Sequence, residues 1–157
     1  NFISDRFELE WSNPCTTYPL NKNDYHPERQ IHETRPLRLE DAELVNRHYP
    51  YRGDHTLKMI QEDIILRPSA AVFIEEQPVA WTLQHPDGTI GMMHTMEKHR
   101  NKGYARDTTL AIIQTLIQRN ETPIVQIADT NMVSQALAKS CGFKAFATAD
   151  WFGILVK

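Results

Sequence analysis

His99, Arg100 and Lys102 set three basic side chains within four positions, immediately ahead of an isolated glycine, Gly103. That grouping suits an anion. Arginine and lysine make short, charge-assisted hydrogen bonds to phosphate oxygens, and a residue without a Cβ lets such a group approach the backbone. From Tyr104 a different period sets in. Thr109, Ile112, Ile113 and Leu116 fall at i, i+3, i+4 and i+7, one face of a helix. A helix starting there offers unpaired N–H groups and the positive end of its dipole to whatever lies at Gly103. The run from Thr89 to Met96 is short and apolar, follows the turn signal Pro86-Asp87-Gly88, and reads as a strand. Strand, basic turn and helix start together suit phosphate binding; an ordinary basic helix start is the alternative. Its spacing is Arg100-x-x-Gly103-x-Ala105, with Asn101 and Tyr104 inside the turn. It matches neither G-x-G-x-x-G nor G-x-x-x-x-G-K-[ST].

Groups able to move a proton lie ahead of that turn. His94, in the strand, titrates in the useful range; the position equally suits a half-buried histidine with a backbone partner. Glu97 reads as a solvated carboxylate, and His85 and Asp87 as turn residues. Cys15 and Cys141 are too few for a disulfide framework, and Cys141 reads as a small buried hydrophobe rather than a nucleophile. The seven histidines are scattered, without H-E-x-x-H or paired cysteines, so no metal site is expected.

These groups must be positioned by the elements around them. Residues 1–33 are rich in Asn, Pro, Tyr and charge; Phe7 to Trp11 alternates like a strand, and the whole reads as an extended N-terminal arm or linker. Arg35-Pro36-Leu37-Arg38 is a short strand candidate. One helix follows Glu40-Asp41, with Leu44, Val45 and His48 on a face, and another follows Asp54, with Leu57, Ile60 and Ile64 on a face. Ala70 to Glu75, Val79 to Gln84 and the strand from Thr89 form an antiparallel meander. Ile124 to Ala128 is a buried strand beyond the Tyr104 helix, which makes a βαβ unit with parallel strands. A last helix carries Val133, Ala136, Leu137 and Ser140 on one face and stops at Gly142. Lys144 to Thr148 and Trp151 to Val156 are the final strands. The expectation is an α+β domain over residues 34–157, a mixed sheet of about seven strands flanked by about four helices.

The 157 residues suit one domain, and 41% apolar with 24% charged residues is the composition of a soluble globular protein. A net charge of −3 argues against a nucleic-acid surface. No apolar run approaches the roughly 20 residues of a membrane span, and no signal peptide is visible. The start at Asn1 reads as processed or trimmed, so targeting information could have been lost. Two cysteines, both expected to be reduced, favour an intracellular compartment, cytoplasmic or mitochondrial.

The element order β α α β β β α β α β β resembles that of the GNAT superfamily of acyl-CoA-dependent N-acyltransferases. Arg100-x-x-Gly103-x-Ala105 resembles the [QR]-x-x-G-x-[GA] turn with which that superfamily holds the pyrophosphate of coenzyme A. The resemblance implies acyl-CoA or acetyl-CoA as co-substrate, with Arg100, Asn101, Lys102, Gly103, Tyr104 and Ala105 at the phosphates. Met93-x-Thr95 stands where the superfamily's strand backbone bonds the pantetheine arm. Asn131-x-x-Ser134 through Cys141-Gly142-Phe143 is similar to its N-x-x-S/A…G-F segment, where Asn131 would bond pantetheine amides. The superfamily's two parallel strands splay apart at this point. More narrowly, Arg35-Pro36-Leu37, Ala42-x-Leu44-Val45-Asn46 and Val79 to Leu83 resemble the C-terminal domain of the glycine N-acyltransferase family. The arm would then join a missing or reduced first half.

Two departures stand out. The family's glutamate base falls on Thr89, and the tyrosine acid of many GNAT enzymes falls on Ala138. Threonine is no base near neutral pH. A water relay from Thr89, or His94 turned inward by a strand bulge, would have to replace the glutamate, and Ser140 could protonate the leaving thiolate. The expected function is transfer of an acyl group from acyl-CoA to the amine of a small amino acid such as glycine. Protein or peptide N-acetylation is one alternative, and a CoA-binding module without turnover is another, motivated by Thr89 and Ala138. The oligomeric state is left open.

Overall fold

Two apolar faces set the architecture of the computed structural model, which describes residues 7–156. On one side of the sheet, helix α3 (Tyr104–Gln118) buries Leu110, Ile112, Ile113 and Leu116 against Ile90, Val125, Ile127 and Phe143, joined by Ala138 of helix α4 (Met132–Ser140). On the other side, α1 (Ala42–His48) and α2 (Thr56–Leu66) press Ala42, Val45 and Ile60 onto Ala71, Trp81 and Leu83. Burying such a side chain is worth roughly 1.5–3 kcal/mol each, so the two layers hold the sheet from both faces. All four helices fall where the periodicity places them.

Among the described residues the sheet has six strands rather than about seven. In chain order they are β1 (Phe7–Pro19), β2 (Ser69–Ile74), β3 (Gln77–Gln84), β4 (Ile90–Thr95), β5 (Ile124–Ala128) and β6 (Ala147–Val156); in space the order is β2-β3-β4-β5-β1-β6. The expected strand at Arg35 is a single bridge to Ala71. The two expected final strands are one. β1 is 13 residues long and offers partners without a break from Ala147 to Val156, across the gap expected between Thr148 and Trp151.

β1 itself is the larger difference. The segment expected as an extended arm or linker holds an interior strand, antiparallel to both β5 and β6. Pro14 does not prevent this, because pairing to β5 begins only at Cys15. The following residues are also fastened. The buried Asp107 carboxylate of α3 accepts hydrogen bonds from the backbone N–H groups of Ile31 and His32, at 3.2 and 3.1 Å, and contacts the His32 ring. The first 33 residues thus include part of the sheet and a clasp on α3. Placement of residues 1–6 lies outside the described range.

Candidate active site

Past their first residues the central strands diverge. Ile90 of β4 pairs with Val125 of β5 in parallel, and no further register pair joins the two among the described residues. Beyond that point the facing edges carry N–H and C=O groups that no strand partner takes. β4 is also bulged: Trp81 pairs with His94 and Leu83 with Gly91, so β4 holds one extra residue between the pairs. Met92, with φ +48°, takes up the strain. A cleft of about 1530 Å³ opens here, lined on one side by His48, Trp81, His85 and His94 and on the other by Asn131, Ser134 and Ala138.

At the far end of β4 the chain turns through Asn101 (φ +62°) and Gly103 (φ +86°) into α3. Gly103 is the helix N-cap and has no side-chain cap. Asp107 N–H bonds Gly103 O at 3.1 Å as the ladder begins. Ahead of it, no protein acceptor takes the N–H groups of Lys102 to Arg106 among the described residues. Three buried polar atoms around the turn, Thr95 Oγ1, His99 Nδ1 and Arg106 Nε, also lack a partner. Bare amides, unpartnered polar atoms and a glycine in a left-handed conformation fit a phosphate group.

The expected site residues divide between these two places. Thr89, Met93, His94, Asn131 and Ser134 line the cleft. Thr95, Arg100, Asn101, Lys102, Gly103, Tyr104 and Ala105 lie around the turn. Several carry structural duties. Thr89 Oγ1 donates to Asp87 Oδ1 at 2.8 Å, and Thr89 N–H donates to the same oxygen at 2.9 Å, so its hydroxyl is tied into the hairpin turn. Arg100 Nε bonds Thr95 O at 3.3 Å across an exposed surface. Asn131 Oδ1 caps α4 by accepting from Ser134 N–H at 3.1 Å, which leaves its NH₂ group for a ligand. Met93 packs toward Thr109 of α3. Ser140 is not in the cleft wall; its hydroxyl donates to Leu137 O at 2.7 Å.

His94 packs against two rings, 5.0 Å from Trp81 and 4.7 Å from His48 at 30° to each, and those two rings are themselves 5.9 Å apart, so the three form a cluster. Burial, followed by the charge of His48 and then of Arg100, holds its pKa below the ordinary value of 6.5. The ring is therefore neutral near pH 7 and able to accept a proton. Cys141 is buried, and burial pushes its thiol up to about 11, so it packs as a hydrophobe.

Sequence reasoning missed His48, Tyr49, Tyr51 and Arg52, which wall the cleft from the end of α1 and the loop after it, and Trp11 and Trp151, which wall it from β1 and β6. It also missed the partnership of His85 with Asp63. Only His48 carried a signal, its place on the apolar face with Val45. Among the described residues no group of His, Cys, Asp and Glu is placed to hold a metal ion, and no helix is long and apolar enough to cross a membrane.

The family model described as FR47-like protein matches residues 75–152, just under half of the chain. An X-ray structure of a Drosophila protein superposes with a TM-score of 0.81 at 22% identity, over 92% of this chain and 52% of that one. A protein described as a GNAT-family acetyltransferase from Novosphingobium aromaticivorans gives 0.75 at 14% identity, over 96% and 68%. A GNAT-family acetyltransferase from Colwellia psychrerythraea gives 0.69 at 12%, over 93% and 56%. The chain therefore spans only about half to two thirds of the length of these structures. It has a GNAT-like fold, and its residues 75–152 match the FR47-like family model.

Proposed function

We propose that the protein transfers an acyl group from acyl-CoA or acetyl-CoA to the amine of a small amino acid such as glycine. The observation that carries this reading is the parting of β4 and β5 after Ile90 and Val125, aligned with the uncapped start of α3. The diphosphate of the co-substrate is taken by the amides from Lys102 to Arg106, with Arg100 and Lys102 as counter-charges. The pantetheine arm lies along the free edges of β4 and β5, near Met93, Thr95 and the Asn131 amide. The acceptor enters from the α1–α2 side, among Tyr49, Tyr51, Trp81 and Trp151. Arg52 is the one arginine or lysine in the cleft lining among the described residues, which supports an acceptor carrying a carboxylate.

Such a site has modest chemistry to do. It holds two reactants together, presents strand N–H groups to the thioester oxygen, and takes a proton from the amine. Two cleft histidines, His94 and His85, are placed to take it. Free, buried cysteines support an intracellular compartment.

The test is calorimetry with CoA, followed by a thioester-consumption screen over amino acids, polyamines and peptides. Binding with turnover on small amino acids upholds the reading. Turnover on peptides alone moves it to protein N-acetylation, binding without turnover reduces it to a CoA module, and no binding ends it.

A further inference from the structure

We propose that His85, oriented by Asp63, takes the proton from the acceptor amine, a role that rests on the acyl-transfer reading above. His85 follows β3 and faces Thr89 across the hairpin, its N–H bonded to Thr89 O at 2.8 Å. Leu83 pairs with Gly91 one step along. Residues opposite each other, and residues two apart, share a sheet face. His85, Thr89, Leu83 and Gly91 are therefore on one face, the one covered by α2. The imidazole thus occupies the side on which Thr89 leaves no base.

The ring is held from two directions. Gly91 makes room for it: a Cβ at that position would stand 2.2 Å from His85 Nε2. On the other side Nδ1 lies 3.7 Å from Asp63 Oδ2. Asp63 is fully buried. Its Oδ1 accepts from Arg67 Nη1 at 2.7 Å, while Oδ2 has no hydrogen-bond partner among the described residues. A buried carboxylate oxygen left unpaired calls for a partner that arrives during function. The imidazolium that forms when His85 takes a proton is such a partner, and the pair tightens as charge develops. Arg67 holds the carboxylate in place. His85 itself is partly exposed and lines the cleft.

In the step, the acceptor arrives as an ammonium ion. His85 Nε2 takes one proton, frees the nitrogen lone pair and returns the proton to solvent. The nitrogen attacks the thioester carbonyl carbon. The C–N bond forms, the C–S bond breaks, and a second N–H proton leaves with the thiolate as free thiol. Asp63 is a positioning residue; His94, clustered with Trp81 and His48, forms part of the wall.

The test compares the parent chain with His85→Ala and Asp63→Asn, reading kcat, KM for acyl-CoA, CoA affinity and melting temperature. His85→Ala should lose at least a hundredfold in kcat with unchanged CoA affinity, and added imidazole should restore part of the rate. Asp63→Asn should lose kcat, with KM for acyl-CoA unaltered. If the parent turns over and His85→Ala keeps its rate, or loses melting temperature alone, the pair is a structural tie and the proposal falls while acyl transfer stands. If the parent neither binds CoA nor consumes thioester, both fall. Loss of kcat in His85→Ala that imidazole cannot restore also overturns the role as proton acceptor.

Discussion

Ile90 stands opposite Val125, and that pair is the whole of the parallel register between β4 and β5 among the described residues. Both side chains are buried in the α3 core. The strands are thus pinned at one end by packing and free at the other, where a ligand's amides and carbonyls can complete the missing ladder. A strand that relied on its neighbour for every hydrogen bond would have no edge to offer.

Arg100→Ala should weaken CoA binding. A hydrogen bond to a charged group is worth roughly 1.5–3 kcal/mol, so the loss should be on the order of ten- to a hundredfold by calorimetry. Equal affinity would move the phosphates away from this turn.

Gly103→Ala separates backbone strain from crowding. The nearest atom to an added Cβ is Arg106 Nη2 at 3.7 Å, an ordinary contact, while φ is +86°. The left-handed conformation alone should cost about 1–2 kcal/mol. The melting temperature should drop by several degrees and CoA affinity should fall with it. An unchanged melting temperature would show that the turn relaxes without penalty.

Gly91→Ala tests the geometry around His85 without touching the imidazole. With His85 Nε2 only 2.2 Å from the new Cβ, the ring must swing out. Since misplacing a reacting group can cost on the order of a hundredfold, kcat should fall much as in His85→Ala. A rate equal to the parent's would mean that the ring position is immaterial.

His94 gives stability a pH dependence whose sign is fixed. Its folded-state pKa lies below 6.5, chiefly through burial. As pH falls below the unfolded-state value, the unfolded chain takes up this proton first. Stability present above about 6.5 is then lost toward lower pH, until the folded-state value is passed. His94→Phe keeps a ring against Trp81 and removes the effect. Thermal melts between about pH 7 and pH 5 should fall less steeply for the variant; parallel curves would assign the acid sensitivity to other groups.

Both thiols should resist alkylation in the folded protein. Cys141 is pushed up to about 11 by burial, and Cys15 is raised by burial and then by Asp129 and Asp150. Mass spectrometry after iodoacetamide at about pH 8 should find neither labelled before denaturant and both labelled after it. Early labelling of Cys141 would show that the Gly142 turn opens readily.

The helices and the meander were legible because they are local. Ile112, Ile113 and Leu116 on α3 and the turn at Gly88 announce themselves within a few residues. The turn into α3 was legible for the same reason, with Arg100 and Gly103 three positions apart. The place of β1 was not, because nothing near Cys15 records that Ala128 and Ala149 will flank it. The same limit hid His85 and Asp63, which lie on a hairpin and a helix and meet only when α2 lies across the sheet. Turn composition around Pro86 described the backbone at His85 correctly and said nothing of what its ring would face.

The insertion of β1 between β5 and β6 has a kinetic consequence. Cys15 finds both its cross-strand neighbours near the opposite end of the chain, so this half of the sheet depends on contacts of long sequence separation, which pay their loop-closure entropy before any reward. The α1–β2–β3–β4 half can collapse from nearby residues alone. Folding should therefore be ordered, with β5 left as an exposed edge until β1 docks, and the cleft takes its final shape only in the last stage.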